Sequence, residues 1–577
     1  MESHDDRGHG HGGGRPPEGK AVELQDLERL DLDPEVHGRL LAALNAARRH
    51  EDLTDIEACG ADHELCQAML RRRRQLGPQG FTDIKQLIGL PRFNQDLLEK
   101  LLHWFGPARY GEWEMKSPTV LYGQPYPVAH AAVLRSGKVL FLPEDEFHET
   151  LLWDPDTDTI AQTADVPSDW LFCSGHSFLS NGDLLCVGGG GGGPSGVNRA
   201  WRFNPDTNRW TKTAGDMGSA RWYPTAVTIP NRKVLVVGGS PATNTTDIYD
   251  EYSDSFTPMG GPASTRSFPQ LYPGLHLLPG GEVFYSRTGF GSAGQGPGGG
   301  DPVPTNAFLR FSAPSSGEWV ELTDTMEHTD RVRGMSVLLL NRCNPTVSVV
   351  VIGGTQAPGS GTAEQVKLST LTPDWGHAMT VPDGSTRINV NAVLLPDGTV
   401  FVVGGTSDPA VPCARYNPAN GQWQTMARAN YRKQYHSVAV LLPSGRVLAT
   451  GGSNYGGGAN VIEVFSPPYL FTLGGGAAAR PTIANAPASM SHTGPVQIES
   501  PDAAQITSIV LVRPMAVTHQ TDSEQRRIEL DFHRHGNTLH AHMPHGHSEP
   551  GLAPLGYYML FILKGRVPST ARFIRLT

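Results

Sequence analysis

Apolar positions along the chain change their period twice. Between residues 21 and 110 they recur at helical spacing. Asp33-Pro34 marks a helix start, Val36, Leu40, Leu41 and Leu44 share one face, and Leu65 with Met69 follow. Ile84, Leu87 and Ile88, then Leu97, Leu98, Leu101, Leu102 and Phe105, continue that period and predict a small helical domain. From 118 to 477 the pattern is one of short strands. Leu442-Pro443-Ser444-Gly445-Arg446 runs into Val447-Leu448-Ala449-Thr450-Gly451-Gly452, and Leu395-Pro396-Asp397-Gly398-Thr399 runs into Val400-Phe401-Val402-Val403-Gly404-Gly405. Weaker copies open at Leu134, Leu179, Ile229, Leu278 and Leu340. Each predicts an apolar strand, a tight turn, a second strand and a glycine pair. After 478 the repeat stops, while strand-sized runs such as 506–513 and 557–563 continue.

Spacings of roughly 45 to 60 residues match kelch-type blades, and Asn204-Pro205 leading to Trp210 recurs as Asn417-Pro418 leading to Trp423. Seven copies predict a mostly β protein: a seven-bladed kelch-type β-propeller over 118–477. An immunoglobulin-like β-sandwich over 478–577 follows it, and a small α-helical domain over 21–110 precedes it. Residues 1–20 are polar and Gly-rich, carry His4, His9 and His11, and read as a disordered tail. That tail has no apolar stretch of a secretory signal, and no apolar run in the chain reaches the roughly 18 residues of a membrane span.

Composition narrows the function. A net charge of −10 argues against nucleic acid or an anionic membrane as partner, so the run Arg71 to Arg74 reads as a solvated helix face. Six cysteines in 577 residues are too few for a disulfide scaffold. Cys59 and Cys66 are open to two readings, a pair across a helix turn or small buried hydrophobes. The histidines at 533, 535, 540, 542, 545 and 547 read as a polar strand face.

A propeller converges on its axis, and the repeat identifies the residues there. Six positions before each turn-opening Leu or Ile lie Val128, Cys173, Tyr223, Tyr272, Gly334, Asn389 and His436; one position earlier lie Trp222, Arg333 and Tyr435. Phenols and imidazole are first-row transition-metal ligands, and mixed N,O ligation suits Cu(II). A thiol among them adds a redox option.

The segments Phe172-Cys173-Ser174-Gly175, Leu271-Tyr272-Pro273, Tyr435-His436-Ser437 and Thr518-His519-Gln520-Thr521-Asp522, with Gln525-Arg526-Arg527-Ile528, resemble the copper radical oxidases, the galactose oxidase and glyoxal oxidase family. Pro554-Leu555-Gly556-Tyr557-Tyr558 resembles that family's C-terminal early-set domain, and Arg221-Trp222-Tyr223 is similar to the glyoxal oxidase branch. The resemblance covers 118 to 577. It implies one copper ion held by Tyr272, Tyr435, His436 and His519, a Cys173–Tyr272 thioether radical cofactor, and Tyr435 as base. It implies O₂ and a small aldehyde or primary alcohol as substrates, H₂O₂ as product, and an extracellular or cell-envelope location. Phe290 stands where galactose oxidase has an indole over the radical ring, with Trp222 or Trp170 as alternatives from another blade; Arg333 and Asn389 are candidates for substrate binding. Two other classes stay open: a catalytically silent propeller that binds glycans or proteins, and a DNA-associated role through the helices.

Overall fold

The computed structural model describes residues 20–23, 27, 34–144, 147–190, 195–261, 268, 271–290, 307–322, 331–340, 347–354, 361–368, 374–382, 384–405, 411–452, 460–472, 475–544 and 551–577. The tail with His4, His9 and His11, and also Cys343, His545 and His547, lie outside them. The chain divides into two compact units, 1–111 with 471–478, and 112–470 with 479–577. Among the described residues no helix is long and apolar enough to cross a membrane.

In the first unit, helices Pro34–Ala46, Thr54–Ala58, His63–Gln75, Gln95–Phe105 and Pro107–Tyr110 surround one apolar core. Leu40, Leu44, Leu65, Met69, Leu97 and Leu101 fill that core, as their spacing requires. Ile84–Leu87 departs from the expected helical period: it is a single 3-10 turn, capped by Asp83 and followed at once by the left-handed Gly89. Cys59 and Cys66 do not pair, and each is buried as a thiol.

The second unit contains seven antiparallel sheets arranged as blades. Their first propeller strands are Val128–Val133, Gly175–Phe178, Thr225–Ile229, Leu275–Leu277, Met335–Leu340, Val390–Leu394 and Val438–Leu441; we number the blades one to seven in that order. The glycine pairs have a steric cause. A Cβ on Gly188, Gly353 or Gly404 would lie 2.2–2.4 Å from the carbonyl oxygen of Arg221, Arg387 or Lys433 in the next blade. The following glycine N–H donates to that same oxygen in each case. Only a residue without a side chain lets neighbouring blades approach so closely.

Two connections were not legible in the repeat. Blade seven takes its outer strand, Glu112–Met115, from the chain's other end, where it pairs with Glu463–Ser466. The predicted start at 118 therefore falls after the strand that closes the ring. Blade one gains a fifth strand, Ala516–Thr518, which pairs with Val128–Val133 and comes from beyond the propeller. The other strands after 479 form the sandwich around Ile498, Leu511, Leu530, Tyr558 and Leu560.

Residues 516–527 thread from the sandwich into the propeller. Glu524 Oε1 accepts from Ser177 Oγ and Phe178 N of blade two, at 2.8 and 3.1 Å. Gln525 exchanges bonds with Leu394 N and Ala392 O of blade six. Arg526 donates to Leu277 O of blade four, and Gln520 to Ser437 O beside blade seven. The Gln525-Arg526-Arg527 motif is thus the hydrogen-bonding plug that holds the loop on the axis.

Candidate metal centre

The axial residues share one backbone state. Cys173, Tyr223, Tyr272, Arg333, Asn389 and His436 all have φ between 50 and 65°. Side chains other than Gly or Asn rarely occupy this left-handed region, and each costs about 1–2 kcal/mol there. The local cause is a turn: Ser174 N donates to Leu171 O, Gly334 N to Arg331 O, and Ser437 N to Gln434 O, with Cys173, Arg333 and His436 as the third residue of each. Neighbouring blades then lock the ring, because Tyr223 N donates to Cys173 O, Tyr272 N to Tyr223 O, and Asn389 N to Arg333 O.

One assignment changes. Arg333, not Gly334, is the blade-five member, since the count runs from Leu339 and not from Leu340. Blade one has no such residue at Val128. There the added strand Ala516–Thr518 leads into His519 and Gln520, at φ 46 and 62°, so the sandwich supplies the missing left-handed position.

Four candidate ligands meet at this ring. The Tyr435 and His436 ring centroids are 3.6 Å apart, those of His436 and His519 4.5 Å, of Tyr272 and His519 5.0 Å, and of Tyr435 and His519 5.5 Å. Cys173, Tyr223, Tyr272 and Phe290 form one buried cluster with Tyr435 and Trp222 against it. The Cys173 thiol interacts electrostatically with both the Tyr272 and the Tyr223 phenols. Burial first, then Cys173, holds the Tyr272 hydroxyl well above the ordinary phenol range.

The hydrogen bonds set the imidazole nitrogens. Thr518 Oγ1 donates to Ala129 O at 3.0 Å, so at 2.6 Å it accepts from His519 Nδ1–H. His519 Nε2 then carries the lone pair; it is buried and has no hydrogen-bond partner among the described residues. Burial, and behind it His436, His130 and His176, keeps this ring neutral. His436 Nδ1 lies 2.7 Å from Glu144 Oε1, a carboxylate orienting an imidazole as metal sites commonly arrange it. A buried, unsatisfied lone pair beside two phenols and a second imidazole is a donor set that fits copper.

Further residues were missed by sequence reasoning. Tyr223, not Phe290 or Trp222, lies on the Tyr272 ring, with centroids 4.7 Å apart and planes 23° apart. Trp222 stacks on the far side of Tyr223 at 4.1 Å, giving a three-ring pile. Phe290 stacks instead on Tyr435 at 4.9 Å and 11°, with the Arg333 guanidinium 5.1 Å from its centroid. Trp170 stacks on His148. Tyr223 Oη and Tyr435 Oη are hydrogen-bonded at 2.7 Å. His130 Nε2 accepts from Cys173 N at 3.1 Å and its Nδ1 lies 3.0 Å from His176 Nε2, behind the site. Tyr223 was visible as a ring member; its stacking partner depends on blade rotation, which a repeat count does not contain. Asn389 is buried at its ring position beside Arg333.

A β-propeller with a candidate metal-binding donor set where the sandwich loop enters it is the class that fold and site define. Comparison with known proteins narrows it. Residues 138–290 match the glyoxal oxidase N-terminus model, and 480–576 the galactose oxidase-like early set domain. A WSC domain-containing protein of Arthroderma benhamiae is 28% identical over 70% of this chain and 46% of its own length. Galactose oxidase of Gibberella zeae is 25% identical over 74% of the chain and 64% of its own; the chain thus spans about half to two thirds of these two relatives. Aldehyde oxidase GLOX of Vitis pseudoreticulata is 25% identical over 81% of the chain and 97% of its own. A solved fungal alcohol oxidase of the AA5 family, in complex with copper, shares the fold with a TM-score of 0.65 at 22% identity, covering 81% of this chain and all of that one. The resemblance to the copper radical oxidases, galactose oxidase and glyoxal oxidase included, extends over propeller and sandwich together.

Proposed function

We infer that the chain oxidises small aldehydes, as their hydrates, or primary alcohols, reducing O₂ to H₂O₂. The observation that carries this reading is the clustering of the Tyr272, Tyr435, His436 and His519 rings in one buried place, with Cys173 packed in the same cluster as Tyr272. These four side chains would hold copper, which when bound supplies one-electron redox chemistry and a Lewis-acid contact for the substrate oxygen.

The geometry supports a part for each residue. As a phenolate, to which the Tyr223 hydroxyl donates, Tyr435 Oη would take the substrate hydroxyl proton and become the neutral phenol. Joined through a ring carbon to the Cys173 sulfur, Tyr272 would carry the unpaired electron, and its phenolic oxygen would take one hydrogen atom from the substrate carbon. Two electrons and two protons leave the aldehyde hydrate as it becomes the acid, and O₂ takes them up as H₂O₂. Arg333 beside Phe290 offers a charge-assisted hydrogen bond to a carbonyl or carboxylate.

Phe290 packs on Tyr435 and presents no N–H donor, which favours small carbonyl compounds over a pyranose ring. The test is kcat/KM for glycolaldehyde, methylglyoxal, glycerol and galactose on copper-loaded, oxidatively activated protein, with peroxide as readout. Small aldehydes should lead; a clear preference for galactose overturns the substrate assignment. His519→Ala should lose tight copper binding with the propeller intact, and a variant that keeps copper and turnover overturns the ligand set.

A further inference from the structure

A second cluster of metal-binding side chains lies in the helical unit, apart from the oxidase chemistry. His50 opens the 3-10 turn His50–Leu53, and Glu57 lies in the helix Thr54–Ala58 that follows directly. His63 and Cys66 stand three residues apart on helix His63–Gln75, which places both on one face. Asp62 caps that helix by accepting from Leu65 N at 2.9 Å, fixing where the face points.

The side chains converge. His50 Nε2 is 2.8 Å from Glu57 Oε1 and 3.2 Å from His63 Nδ1, and the two imidazole centroids are 4.3 Å apart. One ligand atom from each of His50, Glu57 and Cys66 lies within 4.8 Å of the other two. The Cys66 thiol is buried, while the His50 and Glu57 side chains are 23% and 37% exposed, so the cluster opens to solvent on one side. Cys59 is not part of it, because its thiol donates to Asp55 O within its own helix.

A neutral imidazole nitrogen offers one N–H or one lone pair. His50 Nε2 faces a carboxylate oxygen and a second imidazole nitrogen at once, and one hydrogen cannot serve both well. A cation among them uses every lone pair together. Bond lengths of about 2.0–2.3 Å put the ligand atoms of a tetrahedral zinc site roughly 3.3–3.6 Å apart, and the His50–Glu57 and His50–His63 spacings of 2.8 and 3.2 Å lie just below that range.

We propose that His50, Glu57 and Cys66, with His63 as the fourth ligand, form a structural site for a divalent cation of borderline softness, of which zinc is the representative. Two imidazoles, a carboxylate and a thiolate satisfy zinc's four-coordinate preference and leave no open position for substrate. Binding displaces the Cys66 thiol proton to solvent and involves no electron transfer. It ties the 3-10 turn to two helices, so its free energy adds to the stability of the helical unit.

The experiment uses the full chain with its copper site already loaded, titrated with zinc and, separately, with cobalt(II). The parent should bind one zinc beyond copper, and cobalt should give the absorption of a tetrahedral thiolate site. Zinc should also slow alkylation of Cys66 at least tenfold, read by mass spectrometry of the peptide. Glu57→Gln, half exposed and of equal volume, should weaken zinc at least tenfold; Cys66→Ala should abolish the thiolate band, with copper content and peroxide production unchanged. Equal zinc affinity in parent, Glu57→Gln and Cys66→Ala, or alkylation of Cys66 indifferent to zinc in the parent, overturns the site. The parent alkylation arm needs no variant, so a folding defect cannot mask the result.

Discussion

Tyr223 covers the ring of Tyr272 at a centroid separation of 4.7 Å and, through its hydroxyl, holds Tyr435 at 2.7 Å. One residue of blade three therefore touches both phenols proposed for the chemistry, one by its π-face and the other by its hydrogen bond. The two contacts are separable. Tyr223→Phe keeps the stack and removes the bond, and losing about 1–1.5 kcal/mol at the proton-transfer step lowers kcat roughly tenfold. Tyr223→Leu also removes the stack and should shorten the lifetime of the radical's electron paramagnetic resonance signal, which Tyr223→Phe leaves nearly unchanged. Equal radical lifetimes in the two variants would show that the stack does not protect Tyr272.

Cys173 and Tyr272 sit in the same buried cluster, at blades two and four, with Tyr223 of blade three hydrogen-bonded to the backbone of both. A thioether between them should form when copper and O₂ meet the protein, leaving the intact mass two hydrogens low. A covalent loop of roughly a hundred residues compacts the unfolded chain. Active protein should therefore run ahead of Cys173→Ser on a reducing denaturing gel. A peptide map with free Cys173 in active enzyme contradicts the crosslink.

Blade seven depends on a strand from the far end of the unit. Trp113 in that strand packs on Phe465 and donates its indole N–H to Ala427 O at 3.1 Å. A chain beginning at Glu112 should keep copper and peroxide production, whereas one beginning at Ser117 lacks the strand. Loss of about 3 kcal/mol of Trp burial should lower the melting temperature of the second chain by roughly 3 °C. Identical thermal unfolding of the two chains refutes the closure.

Asp522 is buried in the loop that carries His519, and burial pushes its carboxyl up to about 7. An acid whose folded pKa lies above its unfolded value near 3.8 contributes stability that is fully present below pH 4 and is lost as the pH rises through 7. The loss amounts to at most roughly 4 kcal/mol for this shift. Asp522→Asn keeps an oxygen to accept from Glu524 N and removes the charge. The variant should gain stability relative to the parent between pH 4 and 7, measured by urea unfolding. A pH-independent difference would show that Asp522 does not titrate there.

The local pattern was enough for the blades. Strand, turn, strand and Gly-Gly recur because each blade solves the same packing problem, and the glycines record the approach of the next blade's backbone. Cys173, Tyr223, Tyr272, Asn389 and His436 could be counted onto one ring for the same reason, and Arg333 missed by a single residue. Buried pairs in the same repeat, Arg221 with Asp247 and Lys433 with Glu463 at 2.7 and 2.9 Å, left no mark in the apolar pattern, because their partners lie on a different strand of each blade.

What tertiary structure alone decided is which rings meet face to face and how the axis is closed. Periodicity assigns a residue to a face or a ring, but stacking depends on blade rotation and on side-chain torsions set by neighbours distant in sequence. Tyr223 on Tyr272, Phe290 on Tyr435 and Trp170 on His148 are of that kind. His519 reaches the ring only because Ala516–Thr518 leaves the sandwich to pair with blade one, and Glu112–Met115 closes blade seven across the whole length of the propeller. Both are pairings of backbone hydrogen bonds between distant segments, selected by which strand edges are left open once the other blades have formed.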